Sequence, residues 1–161
     1  MKKKRLLRKC PNCGGTGFRE TSVDHEIRVG TTVAWAGIPA AECLSCHERF
    51  ADGPALVQAE LAMAQMLSHY APTPDAFRFL RAVLRMKAGE LADLFDVAPE
   101  TVSRWENGKR AIDPASWAHL CGMLKDRIEE RTTTWDRLRE AKAARGKRAP
   151  KRLRLKFKLA T

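Results

Sequence analysis

Two cysteine pairs set the strongest limit on this chain: Cys10-Pro11-Asn12-Cys13 and Cys43-Leu44-Ser45-Cys46. A two-residue gap lets both thiolates of one tight turn face a single point, and two such turns supply the four sulfurs of a tetrahedral site. Gly14, Gly15 and Gly17 follow the first pair, where the backbone has to turn sharply toward the sulfurs. The basic start, Met1 to Lys9, lacks the apolar run of a secretory signal. In a cytoplasmic chain, paired CxxC units point to metal rather than to disulfides. The expected centre is a zinc ion held by Cys10, Cys13, Cys43 and Cys46. It is closed to water, hence structural, and able to fold a module too small to fold alone.

The same residues carry three rival readings. One pair alone could be a redox dithiol, Cys43 to His47 spells the C-x-x-C-H of haem attachment, and Cys10 to Gly17 spells a chaperone-like CxxCxGxG unit. A redox site leaves the second pair without a task, and haem attachment orphans Cys10 and Cys13. Chaperone units come in tandem, and here there is one copy. His25 and His47 lie near enough in sequence to replace a sulfur, although four cysteines complete the sphere without them.

Between the pairs, Val23 to Val29 and Thr32 to Trp35 alternate loosely, with Gly30 between them where a hairpin turn belongs. This predicts a small β-ribbon capped by zinc, with Gly37-Ile38-Pro39 leading back to the second cysteine turn. Ala55 to Ser68 is rich in helix formers, its Met residues acting as core filling, and Ala71-Pro72-Thr73-Pro74 interrupts the pattern. Thr73 suits an N-cap, Pro74 a first helical residue and Asp75 a first-turn charge. Phe77, Leu80, Val83 and Leu84 then form one apolar face.

Two short helical runs follow, Ala88 to Phe95 and Pro99 to Glu106, around the three residues Asp96-Val97-Ala98. Gly108 is placed to stop the second in the left-handed conformation. With Ala92, Val97, Val102 and Trp105 pointing inward, this is the spacing of a helix-turn-helix. Glu90-Leu91-Ala92 followed by Val102 to Arg110 resembles the Cro/C1-type (XRE-like) helix-turn-helix family. Taken with the upstream CxxC pairs, the stretch from about residue 8 to 125 resembles the MqsA antitoxin family, the YgiT-type zinc-finger/helix-turn-helix proteins.

The resemblance implies an α+β chain, a small zinc-bound β-ribbon module followed by an all-α, lambda-repressor-like domain. It implies that the helical domain dimerises and binds palindromic double-stranded DNA, and that the zinc module contacts a partner toxin. Arg104 falls where the family's base-reading arginine sits, a side chain able to pair bidentately with guanine. Glu100 and Thr101 take the other groove-facing positions, and Ser103, Lys109 and Arg110 are the phosphate candidates. Three departures stand out: Glu100 replaces the usual Asn or Gln, Ala88 replaces the Gln that commonly opens the second helix, and Ala98 replaces a Ser or Thr cap.

Beyond the reading helix, Asp113-Pro114 starts another helix with Trp117, Leu120, Leu124 and Ile128 as its buried stripe. Cys121 reads as a buried spectator and His119 as a surface residue. Trp135 to Arg145 is helical again, and Arg152 to Leu159 alternates base and apolar without a break, the period of a strand. The expected organisation is a zinc module over 1–53, a connecting helix and hinge over 54–71, the helix-turn-helix domain over 72–131, and a helical extension with a basic tail over 132–161.

The formal net charge of +11 sits in the ends. Residues 1–20 carry +6 and residues 141–161 carry +9, whereas 21–140 carry −4. Basic arms on a mildly acidic body suggest a polyanionic partner, since each Lys or Arg at a phosphate releases a condensed counterion. No stretch approaches the roughly 20 apolar residues that span a bilayer, and no acid, base and nucleophile converge to suggest an enzyme. The chain is therefore expected to be a homodimeric DNA-binding transcriptional repressor, with an antitoxin role as the alternative and RNA binding through the tail as a third reading.

Overall fold

The computed structural model describes residues 7–146. The stretch 152–159, expected to be a strand, lies outside the described residues. Strand β1 (Phe18–Val29) turns at Gly30-Thr31 into β2 (Thr32–Cys43), and a short β3 (Arg49–Ala51) follows. The three form one antiparallel sheet in the order β1-β2-β3. Gly30 opens the two-residue turn at φ +57°, as primed hairpin turns require. A Cβ there would stand 2.7 Å from the Asp75 carboxylate, so a larger residue would have to displace that side chain as well as adopt a positive φ.

Both strands run well beyond the alternating segments that the sequence suggested, and Gly37-Ile38-Pro39 lies inside β2 rather than in a return loop. The interior proline is tolerated because β3 pairs only with Ala40 to Glu42. In an antiparallel strand a residue's N–H and C=O point to the same side. Pro39 turns its carbonyl to the Asp52 N–H, on the β3 side, so its missing N–H removes no bond to β1.

Six helices follow: α1 (Gly53–Leu67), α2 (Pro74–Val83), α3 (Ala88–Phe95), α4 (Pro99–Glu106), α5 (Pro114–Ile128) and α6 (Thr133–Ala144). Thr73 caps α2 as expected, its hydroxyl accepting the Ala76 N–H at 3.1 Å. Gly108, at φ +67°, ends α4 in a Schellman motif: Lys109 N–H bonds the Arg104 carbonyl and Gly108 N–H that of Trp105. An apolar cluster built on Phe77, Leu80, Leu91, Val102, Trp105, Leu120, Met123 and Leu124 joins the helices. Ile27 and Val29, at the turn end of the hairpin, belong to the same cluster. Trp105 meets Phe77 edge-on with ring centroids 5.5 Å apart.

In α5 the stripe is Trp117, Leu120, Met123 and Leu124, and Ile128 stays 38% exposed at the helix end. Cys121 is half-buried, and burial pushes its thiol up to about 11, which leaves it a poor nucleophile. Among the described residues no helix is long and apolar enough to cross a membrane. The architecture is α+β: a cysteine-bearing antiparallel ribbon, then an all-helical bundle.

Candidate metal centre and nucleic-acid interface

The hairpin brings its two open ends together, and with them the cysteine turns. Cys43 ends β2 opposite Phe18, and the Leu44 N–H bonds the Gly17 carbonyl at 3.0 Å, tying one turn to the other. Within the first turn Cys10 N–H bonds Gly15 O and Gly14 N–H bonds Cys10 O, and within the second His47 N–H bonds Cys43 O. All four sulfurs then lie within 4.8 Å of one another. The Sγ of Cys10 is 3.7 Å from that of Cys46, and the Sγ of Cys13 is 3.6 Å from that of Cys43. Four sulfurs at about 2.3 Å from a tetrahedral zinc stand about 3.8 Å apart. The donor set therefore fits a divalent, thiolate-preferring ion.

Charge points the same way. The backbone N–H groups of Cys46 and Ser45 lower the Cys43 thiol to about 6. The Gly15 amide draws Cys13 down as well, but the sulfurs of Cys46 and Cys43 outweigh it and push that thiol up to about 12. Four thiolates at this spacing repel one another unless a cation sits between them. Neither histidine joins the cluster. The His47 ring is directed at Glu42, with Nδ1 3.4 Å from Oε1.

Glu42 escapes sequence reasoning. Its side chain is only 4% exposed, and it sits in the middle strand between Arg19 of β1 and Arg49 of β3. Arg19 donates to it at 2.8 Å and Arg49 at 3.2 Å. Burial alone would raise this carboxyl, yet His47, Arg19 and Arg49 together hold it below the usual carboxylate range. The pattern Arg19, Glu42, Arg49 becomes visible only once the strand register is known.

In the helical part of the chain, α3 and α4 are joined by a tight turn. Asp96 closes α3 in the left-handed conformation, φ +55°, and the Val97 N–H returns to the Ala92 carbonyl. Ala98 begins α4 without a side-chain cap, as the substitution of the usual Ser or Thr implied. The helix buries Val102, Trp105 and Glu106, and the opposite side exposes Glu100, Ser103 and Arg104. The spacing of 100, 103 and 104 puts them on one face, with Thr101 half-buried at its edge. Lys109 and Arg110 are exposed just beyond the helix. Arg104 makes no side-chain hydrogen bond or ion pair with any described residue.

What holds this stripe in place is a second feature that the sequence hides. Glu106 turns inward, and Arg81 of α2 grips its carboxylate through Nε at 2.5 Å and Nη2 at 3.2 Å. Arg81 also donates to the Met86 carbonyl, and Arg78 donates to the Glu106 carbonyl. The side chains are 17% and 10% exposed, so this pair ties α4 to α2 from within. A charged residue one step after Trp105 reads as surface; only the shared apolar neighbours of α2 and α4 reveal otherwise.

Comparison with known families agrees with this geometry. A helix-turn-helix family model matches residues 80–120, from the last turns of α2 through α3 and α4 to the middle of α5. No curated protein matches the chain.

Proposed function

We propose that this chain is a sequence-specific regulator of transcription that binds duplex DNA as a homodimer, acting as a repressor at an inverted repeat. The observation that carries the reading is the exposed Glu100, Ser103, Arg104 stripe on the second helix of a helix-turn-helix, with its back locked by Val102, Trp105 and Glu106. Such a helix inserts its front into the major groove. Arg104 supplies the guanine contact, Glu100 and Thr101 read or exclude neighbouring bases, and Ser103, Lys109 and Arg110 anchor phosphates. Cys10, Cys13, Cys43 and Cys46 hold a structural zinc that folds the hairpin module. Residues 54–71 connect this module to the reading domain at 72–131, and α6 follows it. Two copies related by a twofold axis place their reading helices about 34 Å apart on one face of the duplex.

Selection of bound fragments from random duplex DNA by the metal-replete chain should enrich a palindrome. Arg104→Ala should then relax preference at one position per half-site, at a cost of about 1–3 kcal/mol. A footprint and affinity unchanged by that substitution would show that α4 is not the reading head.

A second reading, an antitoxin whose zinc module covers a toxin, has one observation in its favour. Trp35 is 66% exposed on the outer face of the hairpin, with Val33 two residues away on the same face. It predicts a small toxin-like reading frame beside the gene and a complex with its product that Trp35→Ser breaks without changing DNA binding.

A further inference from the structure

β1 is an outer strand of the sheet, and its register with β2 runs one to one from Phe18–Cys43 to Val29–Thr32, without a bulge. It holds no proline. In an antiparallel pair, residues that bond the neighbouring strand alternate with residues whose N–H and C=O turn away from it. The Gly17 carbonyl meets the Leu44 N–H, so the odd-numbered residues of β1 bond β2. The backbone groups of Ser22, Asp24, Glu26 and Arg28 therefore point out of the sheet. Among the described residues, helix packing on β1 is at its Gly30 end, where α2 sits, whereas α1 packs on β2.

An edge of this length is a template for another strand, and proteins commonly blunt it with a proline, a bulge or a covering element. Here the guard is charge. The even-numbered side chains Glu20, Ser22, Asp24, Glu26 and Arg28 are exposed on the face away from the core, three acids to one base. Arg28 already donates to Glu26 at 2.6 Å. The β2 residues opposite them, from Val33 and Trp35 to Ala41, are uncharged. On the other face Thr21, Val23 and His25 are half-buried and Ile27 is buried.

This pattern turns away a second copy. In an edge-to-edge pair the outward backbone groups must meet each other, so even-numbered positions oppose even-numbered ones. Every twofold register that pairs three-quarters or more of the strand then sets Asp24 or Glu26 opposite Glu20, Asp24 or Glu26 of the other copy. Like charges directly opposite are destabilising. The same acids repel phosphates, which excludes a nucleic acid from this edge.

We infer that the β1 edge, centred on Ser22, Asp24 and Glu26, is a docking site for an extended segment of another protein, one with Lys or Arg at alternate positions and apolar residues between them. Such a segment adds a fourth strand. Its backbone satisfies the outward N–H and C=O groups, its cations face Asp24 and Glu26, and its apolar side chains lie beside Val23 and Ile27. The site is the rim of the sheet, separate from the outward Trp35, and it holds whether or not α4 reads DNA.

The probe is a short synthetic peptide alternating lysine and valine, titrated into the full, metal-replete chain and followed by amide hydrogen exchange. In the chain alone, the Ser22, Asp24 and Glu26 amides should exchange fast and those of Val23, His25 and Ile27 slowly. Peptide should slow the first set. Methylating one alternate set of peptide nitrogens should abolish binding, and methylating the other set should not, because only one set faces β1. Ser22→Pro removes an outward N–H without touching the β1–β2 ladder, and should weaken binding roughly tenfold. Asp24→Lys/Glu26→Lys should cost roughly tenfold as well, and transfer the preference to a peptide alternating glutamate and valine. Should either variant melt early, the methylated peptides on the unaltered chain still decide.

Three results overturn the inference. One is a lysine–valine peptide that leaves the even-numbered amides fast. Another is equal binding by a peptide with its lysines and valines in two blocks, or equal loss from both methylation patterns, since diffuse charge would then be the whole attraction. The last is slow exchange of Ser22, Asp24 and Glu26 with no peptide present, which would mean that the edge is filled without a partner protein.

Discussion

Glu106 and Arg81 form a buried pair behind the exposed stripe of α4, the helix proposed above to read DNA. Removing one partner of such a buried pair strands the other's charge, which costs about 3–5 kcal/mol, whereas replacing both with apolar groups is often close to neutral. Glu106→Ala should therefore lower stability by about 3 kcal/mol in urea melts. The double variant Arg81→Met/Glu106→Leu should recover most of that loss. Equal losses in the single and the double variant would mean that the pair is not what holds α4. Asp113 offers a cleaner electrostatic test. The Ser116 backbone N–H, at 2.8 Å, and then the Ser116 hydroxyl, at 2.9 Å, hold its carboxyl below the usual range as it caps α5. A depressed folded value contributes stability above the unfolded pKa of about 3.9 and loses it as pH falls through the folded value. Asn caps helices equally well but carries no charge. The melting temperature of Asp113→Asn should fall below that of the parent at pH 7, and the gap should close as both are titrated below about pH 4. A gap that stays constant down to pH 3 would remove the carboxylate from the account.

The helices divide by how they begin. α2 and α5 start on capping side chains, Thr73 and Asp113, whereas α4 starts on Ala98 with none. Ala98→Ser should raise stability by about 0.5–1 kcal/mol in denaturant melts, because a hydroxyl can accept one of the free N–H groups of the first turn. No gain would imply that the turn geometry forbids the bond. Those same starts explain why the helices were legible: Thr73-Pro74, Asp113-Pro114 and Gly108 are local signals, each read from a few neighbouring residues. The cysteine site was legible for a similar reason, because two short spacings encode it. Strands were harder. β1 and β2 extend over twelve residues each, yet only the portion near Gly30 alternates enough to read, and that loosely. Toward the cysteine end Ala40, Ala41, Glu42 and Cys43 are buried in succession, so the period of two disappears. The exposed stripe on α4 follows from helical spacing. Its support through Arg81 and Glu106, like the Arg19, Glu42, Arg49 row, joins residues distant in sequence and has no local signature.

The hairpin is anchored at both ends by different physics. Its open end is gathered by four sulfurs, while its turn end places Ile27 and Val29 in the apolar cluster of the helices and sets Gly30 against Asp75. Two strands alone are marginal in water, so each end depends on its anchor. A metal ion bound by the four cysteines would hold the first with on the order of 10 kcal/mol, whereas burial among α1, α2 and their neighbours holds the second independently of any ion. Removing the metal with a chelator should then open the molecule from one end only. Hydrogen exchange should accelerate by about a hundredfold or more over residues 10–20 and 40–51. The amides of Ile27 and Val29 and those of α2 to α5 should remain protected, and the helical circular dichroism should change little. Because α4 is braced by α2 through Arg81, the chelated protein should also keep its affinity for the selected duplex. Simultaneous loss of helical signal and DNA binding on chelation would show instead that the sulfur-bound end and the reading head fold as one cooperative unit.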